Sequence, residues 1–400
     1  MDSYAMVSLL GMLDVQEELP RKFVAERAIH PRGEADAWVV VTDDYELHPQ
    51  ATTYLGSLRA LDRSVNTERI YAGRLALYLS YCAEYGVDWA EPRFIQLQEF
   101  MRWLIEQPLP SRARRPRPAR FRKQSTANAV FTAVSEFLRF GVGPGWVSAE
   151  TAAQLTEPKY LQYLPPGFNA GEDGRFRTIR ARRIKYRVAV EGYEWLSAEQ
   201  VDRLIALAGR ARDRFLIVLL ACTGMRIGEA LGLRREDLHL LSNSESLGCL
   251  IPGPHVHVRR RRNANGALAK ARSPRSIPVT EQVVSAYTNY LHERHQVLEA
   301  RMSDFVFVNL FRAPLGQPMR YGNAKGMFDR LAKAAEFIAR PHLLRHSAAT
   351  RMVRSGTRRE VVQDILGHVS PSSMDPYLHA SDQDKREAVE RVAARRTVTG

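Results

Sequence analysis

The segment TGMRIGEALGL, residues 223–233, directly follows the longest apolar run of the chain, residues 215–222, and together the two segments decide the fold. That run is far shorter than the roughly 18 apolar residues needed to cross a membrane, so it predicts a buried helix. The Thr223-Gly224 turn then places Arg226 at the rim of this helix, and Glu229, three residues later, can orient its guanidinium. In most proteins an Arg/Glu pair at this spacing is only a surface ion pair, so the segment alone does not establish a function.

Polar groups with related chemistry follow Arg226 along the chain. The segment HLLRH presents His342, Arg345 and His346 on one face of a predicted helix. The segment LGH, residues 366–368, ends another predicted helix at His368, and Tyr377 lies nine residues further on. These positions predict a group of imidazole, guanidinium and phenol side chains in the second half of the protein.

Lys270 is the only lysine between Lys185 and Lys325, in a stretch that otherwise uses arginine for positive charge. An ammonium group can release a proton to a leaving oxygen, whereas a guanidinium effectively cannot. Lys270 follows an Asn-Gly turn at residues 265–266 and precedes a predicted strand at residues 276–279. The alternative interpretation is a solvated loop lysine.

Together these side chains could complete one reaction on a phosphodiester. Two guanidiniums can clamp the phosphate, an imidazole can accept the tyrosine proton, the phenol oxygen can attack phosphorus, and the ammonium can protonate the leaving oxygen. Each residue alone has a structural alternative, such as a buried histidine or a tyrosine that only packs. The candidates are Arg226, Lys270, His342, Arg345, His368 and Tyr377.

The order and local settings of these six residues resemble those of the tyrosine recombinase, or lambda-integrase (phage integrase), family, of the site-specific integrase or element transposase type. The resemblance extends over residues 50–385 and is strongest over residues 195–380. It implies a mainly α chain with a small antiparallel β-sheet, made of a helical core-binding (SAM-like) domain and a mixed α+β catalytic domain. These two domains are expected to close as a C-shaped clamp around double-stranded DNA.

The resemblance also implies the catalytic roles. Tyr377 would form a 3′-phosphotyrosine, Lys270 on its β-hairpin would protonate the departing 5′ oxygen, and His342 and Arg345 would assist at the phosphorane. Glu229 and His346 are expected to support this set. Because the bond energy is retained in the covalent intermediate, the resemblance implies no cofactor. Two arginines, a lysine and imidazoles can neutralise the phosphorane, so no metal is expected. The resemblance also implies a homo-tetramer on paired recombination sites.

Two other functions remain open at this point. A type IB topoisomerase-like enzyme would share the cleavage chemistry but act as a monomer without synapsis. The third hypothesis is a DNA-binding regulator with an inactive site. The presence of all six candidate catalytic residues argues against it.

The composition favours a nucleic-acid partner. The formal net charge is +14 and the sequence pI is near 9.9, which indicates a polyanionic partner rather than any particular fold. The three cysteines, Cys82, Cys222 and Cys249, are far apart and in no CxxC pattern, so neither disulfides nor a structural zinc site is expected. With no early basic residues typical of a signal peptide, the chain is expected in the cytoplasm, associated with the nucleoid and with no membrane.

Composition and periodicity predict five segments. Residues 1–48 form an N-terminal extension of unknown role with a possible strand at 38–41, and residues 49–145 form the helical core DNA-binding domain. A basic linker covers residues 146–192, the catalytic domain residues 193–385, and a C-terminal tail residues 386–400. In the helical domain, Asn66 and Thr67 are candidate caps for a helix whose apolar stripe starts at Ala72.

Basic residues outside the catalytic set are candidates for phosphate contacts, with a solvated charge run as the alternative. They lie in the loop at 111–123, in the linker and near the predicted hairpin: Arg112, Arg114, Arg115, Arg117, Arg120, Arg122, Lys123, Arg180, Arg182, Arg183, Arg259 and Arg260.

Overall fold

The computed structural model describes residues 22–29, 37–61, 63–109, 118–162, 177–188, 194–244, 248–261, 263–268 and 274–367, together with Arg386 and Glu390. The described residues divide into two compact units, one before residue 190 and one after it. Both are dominated by helices, with small antiparallel sheets, as the sequence predicts. No helix within the described ranges is both long enough and apolar enough to cross a membrane.

The first unit begins with two antiparallel strands, which pair from Phe23↔Thr42 to Ala28↔Ala37. Its helices and strands are β1 (Phe23–Ala28), β2 (Ala37–Thr42), α1 (Pro49–Ala60), α2 (Val65–Glu84), α3 (Phe94–Glu106), α4 (Gln124–Gly141), α5 (Ala149–Ala153), β3 (Thr156–Tyr160) and β4 (Thr178–Arg182).

The apolar stripes predicted for α2 and α4 form the core of this unit. On α2, Ala72 and Leu75 are fully buried, and on α4 so are Val134 and Phe137. The predicted caps of α2 are wrong, because Ser64 is the N-cap and accepts a hydrogen bond from the backbone N–H of Thr67. Asn66 and Thr67 lie inside the first helical turn, where several polar residues near a helix start make the cap ambiguous from sequence.

The described part of residues 1–48 belongs to this first unit. The β1–β2 pair packs on α2, where Ser80 Oγ accepts a hydrogen bond from the Phe23 N–H at 2.9 Å. The buried Glu68 carboxylate accepts from the Trp38 N–H at 2.8 Å and from Arg59 Nη2 at 2.7 Å. A buried carboxylate must be paired in this way, so the contact fixes the strand pair on the helix.

In the described part of the second unit, a three-stranded antiparallel sheet in the order β5-β6-β7 lies among the helices. Its elements are α6 (Ala198–Leu207), α7 (Ala211–Thr223), α8 (Ile227–Leu231), a 3-10 helix (Arg235–Asp237), β5 (Leu238–His239), β6 (His255–Val258), β7 (Arg275–Pro278), α9 (Glu281–His295), α10 (Leu298–Arg301), α11 (Tyr321–Ala335), α12 (Pro341–Arg354) and α13 (Arg359–Leu366).

Helix α7, the apolar run of the sequence, is the centre of this unit. Residues 215–220 are all buried, and the helix packs against both α9 and α12. A helix that is apolar on every face is stable only when neighbours cover it on all sides. Burying each of its large side chains stabilises the fold by roughly 1.5–3 kcal/mol. The core therefore holds the end of α7 in place, and with it the position of the turn that follows.

Candidate active site

Arg226 sits at the start of α8, directly after the turn that ends α7. Gly224 caps α7 with φ +63°, a left-handed conformation that favours glycine. The Arg226 side chain keeps 28% of its surface exposed, and its Nη1 donates to Glu229 Oε1 at 3.1 Å. The Arg226 backbone N–H donates to Glu229 Oε2 at 2.9 Å. The contact expected from the i, i+3 spacing is present, and it orients an accessible guanidinium.

A second arginine, which sequence reasoning missed, shares the same carboxylate. Arg275 on β7 donates from Nη2 to Glu229 Oε2 at 2.8 Å and from Nε to the Ile365 carbonyl at 2.9 Å. Burial disfavours the charged form of Glu229, but the hydrogen bonds and charges of Arg275 and Arg226 outweigh it and hold the pKa of this carboxyl below its usual range. Glu229 is thus a buried anion that joins α8 to β7 and, through Arg275, to the end of α13.

Arg345 ties the same elements together from the side of α12. Its guanidinium is buried, and it donates from Nη1 to the Gly224 carbonyl at 2.7 Å and from Nη2 to the Leu366 carbonyl at 2.8 Å. One side chain therefore joins the turn before Arg226 to the last turn of α13. We call the group formed by Arg226, Glu229, Arg275 and Arg345 the arginine network.

Two glycines allow this close approach. A Cβ at Gly224 would lie 2.6 Å from Leu366 Cδ2, and a Cβ at Gly367 would lie 2.8 Å from Arg275 Nη1. Both residues also have positive φ values near +63°. The turn after α7 and the turn after α13 are therefore packed against each other and against the arginine network.

His342 and His346 lie one above the other on α12, as the HLLRH spacing predicts. Their ring centroids are 4.3 Å apart in an edge-to-face arrangement. His342 is exposed, whereas His346 is buried. Burial, together with the charges of His342 and Arg345, lowers the pKa of His346 to about 4. His346 therefore stays neutral near pH 7, and of the two imidazoles only His342 is accessible for proton transfer.

Three of the six candidates, Lys270, His368 and Tyr377, lie outside the described residues. Two of them have chain neighbours within the described part. A Cβ at Gly228 would lie 2.9 Å from the carbonyl oxygen of Leu268, so the chain passes against α8 two residues before Lys270. Gly367, directly before His368, packs against Arg275.

The proposed phosphate contacts differ in accessibility. Arg112, Arg114, Arg115 and Arg117 lie outside the described residues. Arg120, Lys123, Arg180, Arg182 and Arg260 are exposed.

Exposed Arg182 donates from Nη1 to Thr132 Oγ1, and three other candidates also have partners within the fold. Half-buried Arg122 donates to the Leu104 carbonyl at 3.3 Å, and burial lowers its pKa. Arg183 lies 4.4 Å from the centroid of the Phe94 ring and 3.8 Å from the Glu157 carboxylate.

Arg259 is also close to acidic groups, with its guanidinium 3.8 Å from Asp237 and 4.0 Å from Glu236. Arg183 and Arg259 are themselves exposed, but contacts of this kind compete with a phosphate, so these two and half-buried Arg122 are weaker candidates for DNA contacts.

Residues 194–384 match the model of the phage integrase family. The chain is 26% identical over 367 residues to transposase A from transposon Tn554 of Staphylococcus aureus, covering 90% of this chain and 95% of that protein. It is 32% identical over 200 residues to tyrosine recombinase XerD of Halalkalibacterium halodurans, covering 48% of this chain and 59% of that protein.

Solved structures share the fold. The Tn1549 transposon integrase in complex with circular intermediate DNA aligns with a TM-score of 0.57 at 18% identity, over 85% of this chain and 98% of that one. A lambda integrase dimer bound to a core site aligns with a TM-score of 0.52 at 14% identity, over 83% and 95%. Residues 194–384 are therefore a domain of the phage integrase family, and the chain as a whole is similar to a transposase and to tyrosine recombinases of that family.

Proposed function

We propose that this protein is a site-specific DNA recombinase that cuts and rejoins DNA strands through a 3′-phosphotyrosine intermediate. The observation that carries the proposal is the arginine network. It joins the turn that carries Arg226, the helix that carries Arg345 and the end of α13, two residues before His368. Residues from distant parts of the sequence are thereby brought toward one place, as a reaction at a single phosphorus atom requires.

The proposed chemistry assigns one role to each group. The phenol oxygen of Tyr377 attacks the scissile phosphorus and gives its proton to a neighbouring base, for which exposed His342 is the candidate. A bond forms between that oxygen and phosphorus while the bond to the 5′ oxygen breaks, and Lys270 protonates the leaving oxygen. The 5′ hydroxyl of a partner strand then attacks the phosphotyrosine and releases Tyr377.

Arginines would stabilise the charge that develops on the phosphorane. Arg226 has the accessible guanidinium, and Glu229 fixes its direction before DNA binds, so little reorganisation is needed during the reaction. Arg345 is held by two backbone carbonyls in this structure, and we propose that it contributes charge close to the phosphate as well as order. His368 is assigned to the phosphate by its position in the motif.

The partners and setting follow from the relatives and the charge. Similarity to Tn554 transposase A over 95% of its length supports a role in moving a DNA element. The net charge of +14 supports binding to duplex DNA, which the exposed residues Arg120, Lys123, Arg180, Arg182 and Arg260 would contact. We propose a homo-tetramer on two paired sites, acting in the cytoplasm at the nucleoid.

The proposal is tested by comparing strand exchange with DNA relaxation. Target duplexes are first selected by trapping covalent complexes from a library of nicked DNA and sequencing the attached strands. Two copies of the selected site should then recombine in the presence of the protein alone or with a cell extract. Relaxation of a one-site supercoiled plasmid without any two-site exchange would instead support a topoisomerase-like enzyme and overturn the proposal.

Substitutions separate the proposed roles. Tyr377→Phe should abolish covalent attachment and leave DNA binding intact, whereas Tyr321→Phe, at an exposed tyrosine on α11, should leave attachment unchanged. Lys270→Ala should slow cleavage, and a substrate with a 5′-bridging sulfur should restore the rate because a thiolate leaves without protonation. Absence of that rescue would remove Lys270 from the acid role.

A further inference from the structure

The β5-β6-β7 sheet gathers three histidines and a cysteine that the proposed recombination chemistry does not use. We propose that His239, Cys249, His255 and His257 bind one structural Zn²⁺ ion. Their ligand atoms all lie within 4.8 Å of one another. Imidazole nitrogen and thiolate sulfur are the donors that zinc prefers, and four protein ligands are typical of structural rather than catalytic sites.

The distances already approach those of a tetrahedral site. Cys249 Sγ lies 3.3 Å from His255 Nε2 and 3.5 Å from His257 Nε2, and the two Nε2 atoms are 3.1 Å apart. Zinc bonds of about 2.1 Å to nitrogen and about 2.3 Å to sulfur, at tetrahedral angles, place ligand nitrogens about 3.4 Å apart and sulfur about 3.6 Å from nitrogen. An ion therefore fits with shifts of a few tenths of an ångström at these three ligands.

The surrounding hydrogen bonds leave the correct nitrogen atoms for a metal. His255 Nδ1 donates to the Gly253 carbonyl at 2.7 Å, which makes Nε2 the lone-pair nitrogen of its neutral ring. His257 Nδ1 lies 2.9 Å from Ser276 Oγ, so its Nε2 also faces the cluster. Outer partners of this kind orient metal-binding histidines in known sites.

His239 supplies an independent indication. Its Nδ1 is buried and has no hydrogen-bond partner among the described residues. Its ring centroid lies 4.5 Å from that of His257 and 5.0 Å from that of His255. A buried nitrogen without a partner is costly, and coordination to a cation would satisfy it.

Strand register explains why the histidines meet. His239 pairs with His255, and His257 is two residues further along β6, so all three side chains lie on one face of the sheet. The opposite face carries Val256 and Val258, which are buried in the core. Cys249 comes from the connection between β5 and β6 and completes the set on the histidine face.

The site would hold the strands that lead into the arginine network. Ser276, which supports His257, directly follows Arg275, which binds Glu229. Zinc would therefore hold β5, β6 and Cys249 together and, through Ser276, position β7. The expectation of no structural zinc site rested on cysteine spacing alone, and here three of the four ligands are histidines.

Metal content and cobalt substitution test the site directly. Untagged full-length protein, expressed with added zinc and desalted, should contain about one Zn²⁺ per chain. Replacement with Co²⁺ should give the intense visible bands of a tetrahedral site together with a thiolate-to-cobalt charge-transfer band. Wild-type protein that holds no stoichiometric zinc and shows no such band with Co²⁺ would overturn the proposal.

Three variants give a graded comparison. Ser276→Ala should weaken zinc binding by roughly 10–100-fold, the usual effect of removing an outer partner, and Cys249→Ser should weaken it further. Cys222→Ser, at a half-buried cysteine outside the cluster, should bind zinc as the wild type does. Equal zinc affinity and an unchanged charge-transfer band in Cys249→Ser would contradict the assignment.

Should Cys249→Ser fail to fold, the wild type and Cys222→Ser still decide the question. Adding a zinc chelator should lower the melting temperature of both proteins, and adding back Zn²⁺ should restore it, because an ion bound only to the folded state stabilises it. A melting temperature that responds to neither treatment would overturn the proposal.

Discussion

Replacing Glu229 by glutamine should weaken the arginine network and destabilise the second unit. Glu229 is fully buried and is the shared acceptor of Arg226 and Arg275. Glutamine has nearly the same shape, but it is neutral and directs N–H groups toward one of the two guanidiniums. Because hydrogen bonds to charged groups contribute about 1.5–3 kcal/mol each, losing one or two of them should cost about 3 kcal/mol.

That cost corresponds to a clear shift in melting temperature. For a unit of this size, about 1 kcal/mol changes the midpoint by roughly 2–4 °C, so Glu229→Gln should lower it by roughly 6–12 °C. Glu236→Gln is the matched control, because the Glu236 side chain is 65% exposed although it accepts from Arg261 Nη2 at 2.6 Å. An exposed pair contributes at most about 1 kcal/mol, so this control should lose only a few degrees.

The effect should also depend on pH. Because the pKa of Glu229 in the folded protein is below its ordinary value of 4.5, its ionisation stabilises the fold above about pH 4.5, and this contribution is lost as the pH falls through the folded pKa. Calorimetry should therefore show the gap between wild type and Glu229→Gln narrowing in acid. Glu229→Gln melting within about 2 °C of Glu236→Gln at pH 7 would refute the reasoning.

Three further substitutions test other parts of the second unit. Gly224→Ala should lower the free energy of unfolding by more than about 2 kcal/mol, because the added methyl group meets Leu366 and φ is positive. Gly356→Ala is the control: its φ is also positive but the space around it is open, so it should cost only about 1 kcal/mol in denaturant unfolding. Equal losses for the two variants would contradict the packing at Gly224. Arg294→Met should cost at least about 3 kcal/mol, because this buried guanidinium donates to four backbone carbonyls, and melting within a degree of wild type would contradict that role. Wild-type His346 is neutral in the folded protein, so the wild type should lose stability as the pH falls from 6.5 to about 4, and His346→Gln should remove this part of the loss. An NMR titration that gives His346 a pKa near 6.5 in the folded protein would contradict this.

The local features of the site could be predicted from the sequence. Arg226 and Glu229 are three residues apart, so a helix start alone brings them together. The edge-to-face contact of His342 and His346 on α12 follows in the same way from their spacing. The burial of α7 follows from its apolar composition. Each of these predictions depends only on the geometry of one helix.

Features that depend on contacts between distant segments were missed. Arg275 meets Glu229 across 46 positions of sequence, and only the folded position of β7 reveals that contact. The group of His239, Cys249 and their neighbours depends on strand register and on where the connection between β5 and β6 returns. The spacing of the cysteines does not reveal this group of ligands. The alternation of His255 and His257 along a strand does indicate that both side chains lie on one face of the sheet.

Identification of the residue that carries the DNA tests the central claim most directly. Wild-type protein is allowed to react with a nicked duplex bearing the selected site, the complex is digested with nuclease and protease, and the linked peptide is sequenced by mass spectrometry. We expect a 3′-phosphoryl nucleotide on the oxygen of Tyr377. A nucleotide attached to any other residue, or strand exchange that proceeds with no covalent complex, would contradict the account.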